Sequence, residues 1–126
     1  IENFADAGLM IGLCAADYAC GADALGALAL AGVTASVDVT ADGTRALLNQ
    51  IEARELDAGI VFATDVAAEA GYVEGIAIPD EYQAAETYQI AALAGGTDPE
   101  AAEAFAAFVL SAEGQEILQS YGLVAA

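Results

Sequence analysis

The first half of the chain alternates short apolar runs with longer mixed stretches. The apolar runs have the length of buried strands rather than of helices. They are Leu9–Cys14, Val37–Thr40 and Ala58–Ala63. The stretches between them predict one helix over residues 21–31, ended by Gly32, and another over residues 43–56. This alternation is typical of a three-layer α/β unit with a parallel sheet.

The second of these helices has the clearest pattern. Thr44, Leu47, Leu48 and Ile51 follow the i, i+3, i+4, i+7 spacing of an amphipathic helix. Asp42 lies just before this pattern and has the side chain of a natural N-cap. We therefore predict a helix that packs its apolar face on the sheet and is capped by Asp42.

The chain changes rhythm at about Glu81. Residues 73–78, which Pro79 ends, and residues 87–93 predict two further strands. A polar loop over residues 80–86 joins them. This tail is a candidate for part of a second lobe.

Two helices are predicted at the end of the chain. The first starts at Asp98-Pro99-Glu100, which supply a cap, a proline at the first helical position and an acid in the first turn. The second is capped by Ser111, carries apolar residues at 117, 118 and 121, and ends at Gly122. The inner face predicted for the first consists of Ala101, Phe105, Phe108 and Val109. The full predicted order is β-α-β-α-β-β-β-α-α.

The charge balance excludes several classes of protein. The chain has 20 acidic and 2 basic residues, a net charge of −18, and neither Lys nor His. Nucleic acids and anionic membranes attract basic surfaces, so neither is an expected partner. Without His or Lys, no Ser-His-Asp or Cys-His pair can form, and we expect no enzyme. The acidity itself fits either solubility or life in high salt.

Cys14 and Cys20 bracket a five-residue loop. We favour a disulfide between them, which would point to an extracytoplasmic location. The alternative is two unrelated thiols, of which Cys20 at a helix start could react as a thiolate. A zinc site is poorly supported because two cysteines fill only half of a tetrahedral shell.

Two predicted helix starts, at Cys20-Gly21 and Gly43-Thr44, follow strands and should lie at one edge of the sheet. Helix starts offer unpaired N–H groups that can bind anions. However, every helix has such a start and most bind only water. Asp42 could also cap the second start and repel an anion.

Two further residues leave alternatives open. Phe62 lies in the third apolar run and could line a cleft, although a core aromatic is the commoner case. Asp65 could cap a helix over residues 66–70 or face the cleft.

Four stretches of the chain resemble the C-terminal part of periplasmic molybdate-binding proteins, the substrate-binding components of molybdate ABC transporters. They are IGLCAADYACGADAL, DGTRALLNQIEARELDAGIVFATD, YQIAAL and SAEGQEILQSYGL. The family has a Pro-Ala-Gly-like loop in the first stretch. In the second it has a Val-Arg helix start and a Gly-Ile-Val-Tyr strand.

The resemblance implies a two-lobed type II binding protein, a Venus flytrap that holds a tetrahedral oxyanion with N–H groups and hydroxyls. The Pro-Ala-Gly loop falls on residues 19–21, with the contacting N–H at Cys20 beside Gly21. The second N–H falls on Thr44. The family's strand tyrosine falls on Phe62, which lacks the hydroxyl that would contact the oxyanion.

The resemblance also implies how the chain is divided. Residues 1–80 match the second lobe, and residues 81–126 match the C-terminal return into the first lobe. The rest of that first lobe, with its serine contacts, is not in the sequence. The expected partners are molybdate or tungstate, an ABC permease, and the missing lobe or a second copy of the chain.

These residues predict an extracytoplasmic, non-enzymatic solute-binding protein without a cofactor or metal. It would be periplasmic, or held at the cell surface by a lipid anchor upstream. The alternative is a stand-alone acidic α/β interaction or sensor domain that binds no small anion.

Overall fold

The computed structural model describes residues 1–83 and 87–125. These residues form two compact units, unit 1 (Ile1–Ala85) and unit 2 (Glu86–Ala126). The strands, all in unit 1, are β1 (Ile11–Cys14), β2 (Val39–Ala41) and β3 (Ala58–Gly59). The helices of unit 1 are α1 (Ala19–Leu30), α2 (Thr44–Glu52) and α3 (Ala63–Ala68). Those of unit 2 are α4 (Pro99–Val109) and α5 (Ala112–Ser120).

Unit 1 is built on a parallel sheet with the strand order β2-β1-β3. The chain leaves β1 through α1 to reach β2, then returns through α2 to β3 on the other side. Right-handed connections in opposite directions place α1 and α2 on opposite faces of the sheet. Alternate residues of β1 show this, because Leu13 packs with Leu28 of α1 and Cys14 belongs to the cluster around Leu47 of α2. The predicted α/β unit is confirmed.

Two paired glycines let α2 lie close to the sheet. Gly12 of β1 is in register with Gly59 of β3. A Cβ atom on Gly12 would lie 2.4 Å from Leu56 Cδ1 and 2.6 Å from Leu47 Cδ1. The leucine side chains therefore occupy the space that a larger strand residue would fill, and Leu47 is fully buried.

Two predicted strands are wrong. Residues 73–78 and 87–93 lie in the described part of the chain, and neither run is a strand. A strand requires the backbone of a neighbour, and the described part of the chain supplies none to these runs. Tyr88 and Leu93 are largely exposed instead. The third predicted strand also pairs only over Ala58–Gly59.

The predicted helix ends and the predicted loop over residues 80–86 can also be compared with the structure. Gly32 follows α1 with a φ of 68°, and Gly122 follows α5 with a φ of 91°, so both helix stops are confirmed. In the predicted loop over residues 80–86, Asp80–Tyr82 form a 3-10 helix and Gln83 is irregular. The last three residues of this loop lie outside the described part.

Unit 2 confirms the predicted caps but not the predicted inner face. Asp98 accepts a hydrogen bond from the Ala101 N–H (3.0 Å), and Ser111 accepts one from the Gly114 N–H (3.2 Å). The side chains of Phe105 and Phe108 are 61% and 44% exposed.

The half-buried face of α4 consists of Ala102, Ala106 and Val109, of which only Val109 belongs to the predicted inner face. Helix α4 packs against α5, and the small alanine side chains allow a close approach. The bulky Phe105 and Phe108 remain exposed, although Phe105 neighbours Ala102 and Val109 on the helix surface.

Candidate functional site

The parallel sheet brings three helix starts to one edge. Each strand is followed at its carboxyl end by a short loop and a helix, so α1, α2 and α3 all begin at the same side of unit 1. In open α/β sheets this side is where ligands bind. We call it the helix-start edge.

A disulfide fixes the start of α1. Cys14, the last residue of β1, is bonded to Cys20 in the first turn of α1, and both side chains are buried. The disulfide favoured from the sequence is therefore present. It also excludes a reactive thiolate, because no free cysteine exists in the described residues.

Cys20 and Gly21 have different roles at this start. A Cβ atom on Gly21 would lie 2.1 Å from the Ala15 carbonyl oxygen, so only glycine fits here. The N–H of Gly21 donates to the Tyr18 carbonyl oxygen (3.0 Å). The N–H of Cys20 makes no hydrogen bond to any described residue. Of the two predicted contacts, only Cys20 keeps an unpaired donor.

The start of α2 is uncapped, which corrects the prediction for Asp42. Gly43 occupies the N-cap position with a φ of 100°, a conformation that favours glycine, and no side chain caps the first turn. This turn leaves Asp42 exposed outside the helix. Within the described chain, the N–H groups of Thr44, Arg45 and Ala46 have no hydrogen-bond partner.

The starts of α1 and α2 lie close together. A Cβ atom on Gly43 would lie 3.8 Å from the ring of Tyr18, the residue just before α1. Cys20 and Thr44, predicted from separate stretches, are thus both at the helix-start edge with unpaired N–H groups.

Asp65 joins the starts of α2 and α3. Its Oδ1 accepts a hydrogen bond from the Thr44 hydroxyl (3.3 Å), and its Oδ2 accepts one from the Phe62 N–H (3.2 Å). Asp65 lies within the first turn of α3 rather than before a helix over residues 66–70. Both Thr44 and Phe62 are half-buried.

Phe62 lies directly before α3 and packs against the core. Its side chain contacts the buried cluster that contains Cys14 and Leu47. Its N–H is engaged by Asp65. Phe62 therefore contributes part of its aromatic ring to the helix-start edge, but no unpaired backbone donor.

A second link lies one residue further along α2. Arg45 forms an ion pair with Glu69, which follows α3. The hydrogen bond to Glu69 raises the pKa of Arg45 above its usual value, and the charges of Glu69, Glu52 and Asp65 act in the same direction. One of the two basic residues of the chain is thus neutralised beside the helix-start edge.

Sequence reasoning missed Tyr18 and Glu69. Tyr18 lies in the loop between the cysteines, where an aromatic has no periodic signal. Glu69 lies four residues after Asp65, on the same side of a helix, and that spacing could have indicated a shared face.

Other kinds of site find no support in the described residues. No group of three or more His, Cys, Asp or Glu side chains among them could hold a metal ion. No helix in the described ranges has the length and apolarity to cross a membrane.

A cavity of about 490 Å³ lies away from the helix-start edge. The second half of α1 and the loop after it line this cavity, which is open to solvent, and the lining side chains are apolar apart from Thr34. It contains none of the predicted site residues.

A family profile for bacterial extracellular solute-binding proteins matches residues 1–124. The chain belongs to this family. It is therefore an extracytoplasmic binding protein, and the family indicates delivery of a solute to an ABC transporter permease. Proteins of this family are normally not enzymes. Searches of curated proteins and of solved structures gave no match.

Proposed function

We propose that this solute-binding protein captures a tetrahedral oxyanion, molybdate or tungstate, and delivers it to an ABC importer. The observation that carries the proposal is the uncapped start of α2, whose first three N–H groups have no partner in the described residues. Unpaired N–H groups and the positive end of the helix dipole favour an anion at this position.

The second donor is the N–H of Cys20. The disulfide holds the first turn of α1 to the end of β1, so this N–H is fixed relative to the sheet. Thr44 and Cys20 offer backbone donors, Gly21 provides the close packing of the loop, and Phe62 provides an apolar wall. A chain with a net charge of −18 and a neutralised Arg45 has few other means of holding an anion.

The proposed lobes follow from the resemblance to molybdate-binding proteins. Residues 1–80 form the second lobe, and residues 81–126 form the returning part of the first lobe. The division of the chain into unit 1 and unit 2 is compatible with this assignment. Half of the ligand shell then comes from a first lobe, so the affinity of the chain alone is low.

A nuclear magnetic resonance titration with sodium molybdate tests the proposal, because backbone amide signals report even weak binding. We expect shifts at Cys20, Thr44, Arg45 and Ala46 with molybdate and tungstate, and smaller ones with sulfate. Sodium chloride at equal ionic strength controls for screening of the acidic surface. No specific shift with any of the three oxyanions would overturn the proposal and favour the acidic interaction domain.

Proline substitution gives a matched pair of variants. Thr44→Pro removes the N–H at the first helical position, where proline is well tolerated, and also the hydroxyl, whose separate effect is measured with Thr44→Val. Ala112→Pro does the same at the first position of α5, outside the proposed site. We expect Thr44→Pro to lose the molybdate response and Ala112→Pro to keep it.

A further inference from the structure

We propose that Asp65 is a positioning residue of the oxyanion site, which holds the start of α2 in place through the Thr44 hydroxyl. This inference rests on the proposed function and assigns a role to a carboxylate that an anion site would otherwise exclude. Asp65 acts on the ligand through Thr44 and does not contact it.

The geometry gives Asp65 two partners in two elements. One carboxylate oxygen accepts from the Thr44 hydroxyl, 21 residues earlier in the chain, and the other accepts from the Phe62 N–H before α3. The two hydrogen bonds connect the loop after β3 to the first residue of α2. Both hydrogen bonds are long, at 3.3 and 3.2 Å, and together they connect the two helix starts through one carboxylate.

The same contacts decide which donors remain for a ligand. The Thr44 hydroxyl and the Phe62 N–H both donate to Asp65, whereas the N–H groups of Thr44, Arg45 and Ala46 remain unpaired in the described residues. The helix start thus presents backbone donors only, in an orientation set by Asp65.

Two other roles for these residues make different predictions. If the Thr44 hydroxyl binds the oxyanion directly, Asp65 competes for it, and removing Asp65 strengthens binding. If Asp65 only repels anions, its removal also strengthens binding, but loss of the Thr44 hydroxyl then leaves the affinity unchanged. A positioning role predicts that loss of either side chain weakens binding.

A double-mutant cycle with Thr44→Val and Asp65→Ala separates these roles. We expect each variant to weaken molybdate binding about threefold, because the lost hydrogen bond is long and acts on the ligand only through the helix start. The double variant should bind no more weakly than the single ones. Thr44→Ser, which keeps the hydroxyl, should restore wild-type affinity. Stronger binding by Asp65→Ala, or equal losses that multiply in the double variant, would overturn the proposal.

Glu69→Gln is the matched control. It removes the same charge four residues away and releases Arg45, but it leaves Thr44 and Phe62 untouched. We expect its molybdate affinity to equal or exceed that of wild type, because the guanidinium of Arg45 is then no longer neutralised beside the helix start. A loss equal to that of Asp65→Ala would show that the effect does not depend on the link to Thr44 and would overturn the positioning role.

Amide hydrogen exchange without ligand keeps this inference separate from the proposed function. We expect Thr44→Val and Asp65→Ala to accelerate exchange to the same extent at Leu47, whose N–H donates to the Gly43 carbonyl oxygen in the first turn of α2, with no further change in the double variant. If the wild-type protein does not bind molybdate but the two substitutions still have non-additive effects on exchange, the oxyanion proposal fails. Asp65 then still orders the helix start. Independent effects of the two substitutions on exchange would overturn the positioning role itself.

Discussion

Unit 1 and unit 2 stabilise their helices by opposite means. Every buried hydrophobic side chain in the described residues lies in unit 1, on the two faces of its sheet. In unit 2 only Gly114 is buried among the described residues. Yet α4 and α5 of unit 2 carry side-chain N-caps, whereas α1 and α2 of unit 1 carry none.

This difference bears on function. A missing N-cap costs about 1 kcal/mol, so an uncapped start persists only where other interactions outweigh it. In unit 1 the core and the disulfide outweigh the cost of the missing N-caps. The unpaired N–H groups of its helix starts therefore remain available to a ligand. In unit 2 a side chain takes up one N–H group at each helix start and so stabilises that helix.

The largest expected effect tests the difference in burial. Leu47→Ala in unit 1 removes a fully buried side chain and should lower the free energy of unfolding by about 2–5 kcal/mol. Phe105→Ala in unit 2 removes a larger but exposed side chain and should change it by less than about 0.5 kcal/mol. Urea unfolding followed by circular dichroism measures both. Similar losses for the two variants would show that the Phe105 side chain is buried in solution. The two units would then not differ in burial.

The disulfide is the next largest contribution, and it belongs to unit 1 alone. It closes a seven-residue loop, for which chain entropy predicts a stabilisation of about 2 kcal/mol. Unfolding with and without a reducing dithiol measures this difference, and Cys14→Ala/Cys20→Ala is the non-reducible control. We expect amide exchange to accelerate first at the start of α1. An unchanged midpoint on reduction would mean that the core alone fixes this helix start.

The caps of unit 2 give a smaller and more local effect. Asp98→Ala removes the cap of α4 and should cost about 1 kcal/mol, visible as faster amide exchange in that helix. Asp42→Ala is the matched control in unit 1, because Asp42 has the sequence of a cap but does not act as one. Asp42→Ala should leave the amide exchange rates of α2 unchanged. Faster exchange in α2 after Asp42→Ala would show that Asp42 caps that helix in solution.

Asp42 and Asp98 also show how far sequence can predict this fold. Both precede an amphipathic helix, but only Asp98 caps one, because Gly43 adopts a left-handed conformation that places Asp42 outside the turn. Helix stops at Gly32 and Gly122 were predictable, since they depend on local backbone conformation.

Features that depend on distant partners were not predictable in this way. The runs 73–78 and 87–93 have strand composition, but composition does not supply a neighbouring strand. The link between Thr44 and Asp65 spans 21 residues and appears only once the sheet aligns both helix starts. The resemblance located Thr44 and Phe62 in the sequence, but the hydrogen bonds that define their donors required the fold.

The smallest expected change is the stabilisation from a glycine-to-alanine substitution in unit 1, which we compare with the same substitution in unit 2. Gly26 lies within α1 with open space around its Cβ position, so Gly26→Ala should raise the free energy of unfolding by about 0.5–1 kcal/mol. Gly114 in α5 is the matched opposite, since a Cβ atom there would lie 2.2 Å from the Phe108 carbonyl oxygen and Gly114→Ala should destabilise. Urea unfolding measures both changes. If α1 unfolds with the core of unit 1, the whole gain from Gly26→Ala appears in the main transition. If the gain is absent there, α1 melts separately, and the core does not stabilise the uncapped helix start.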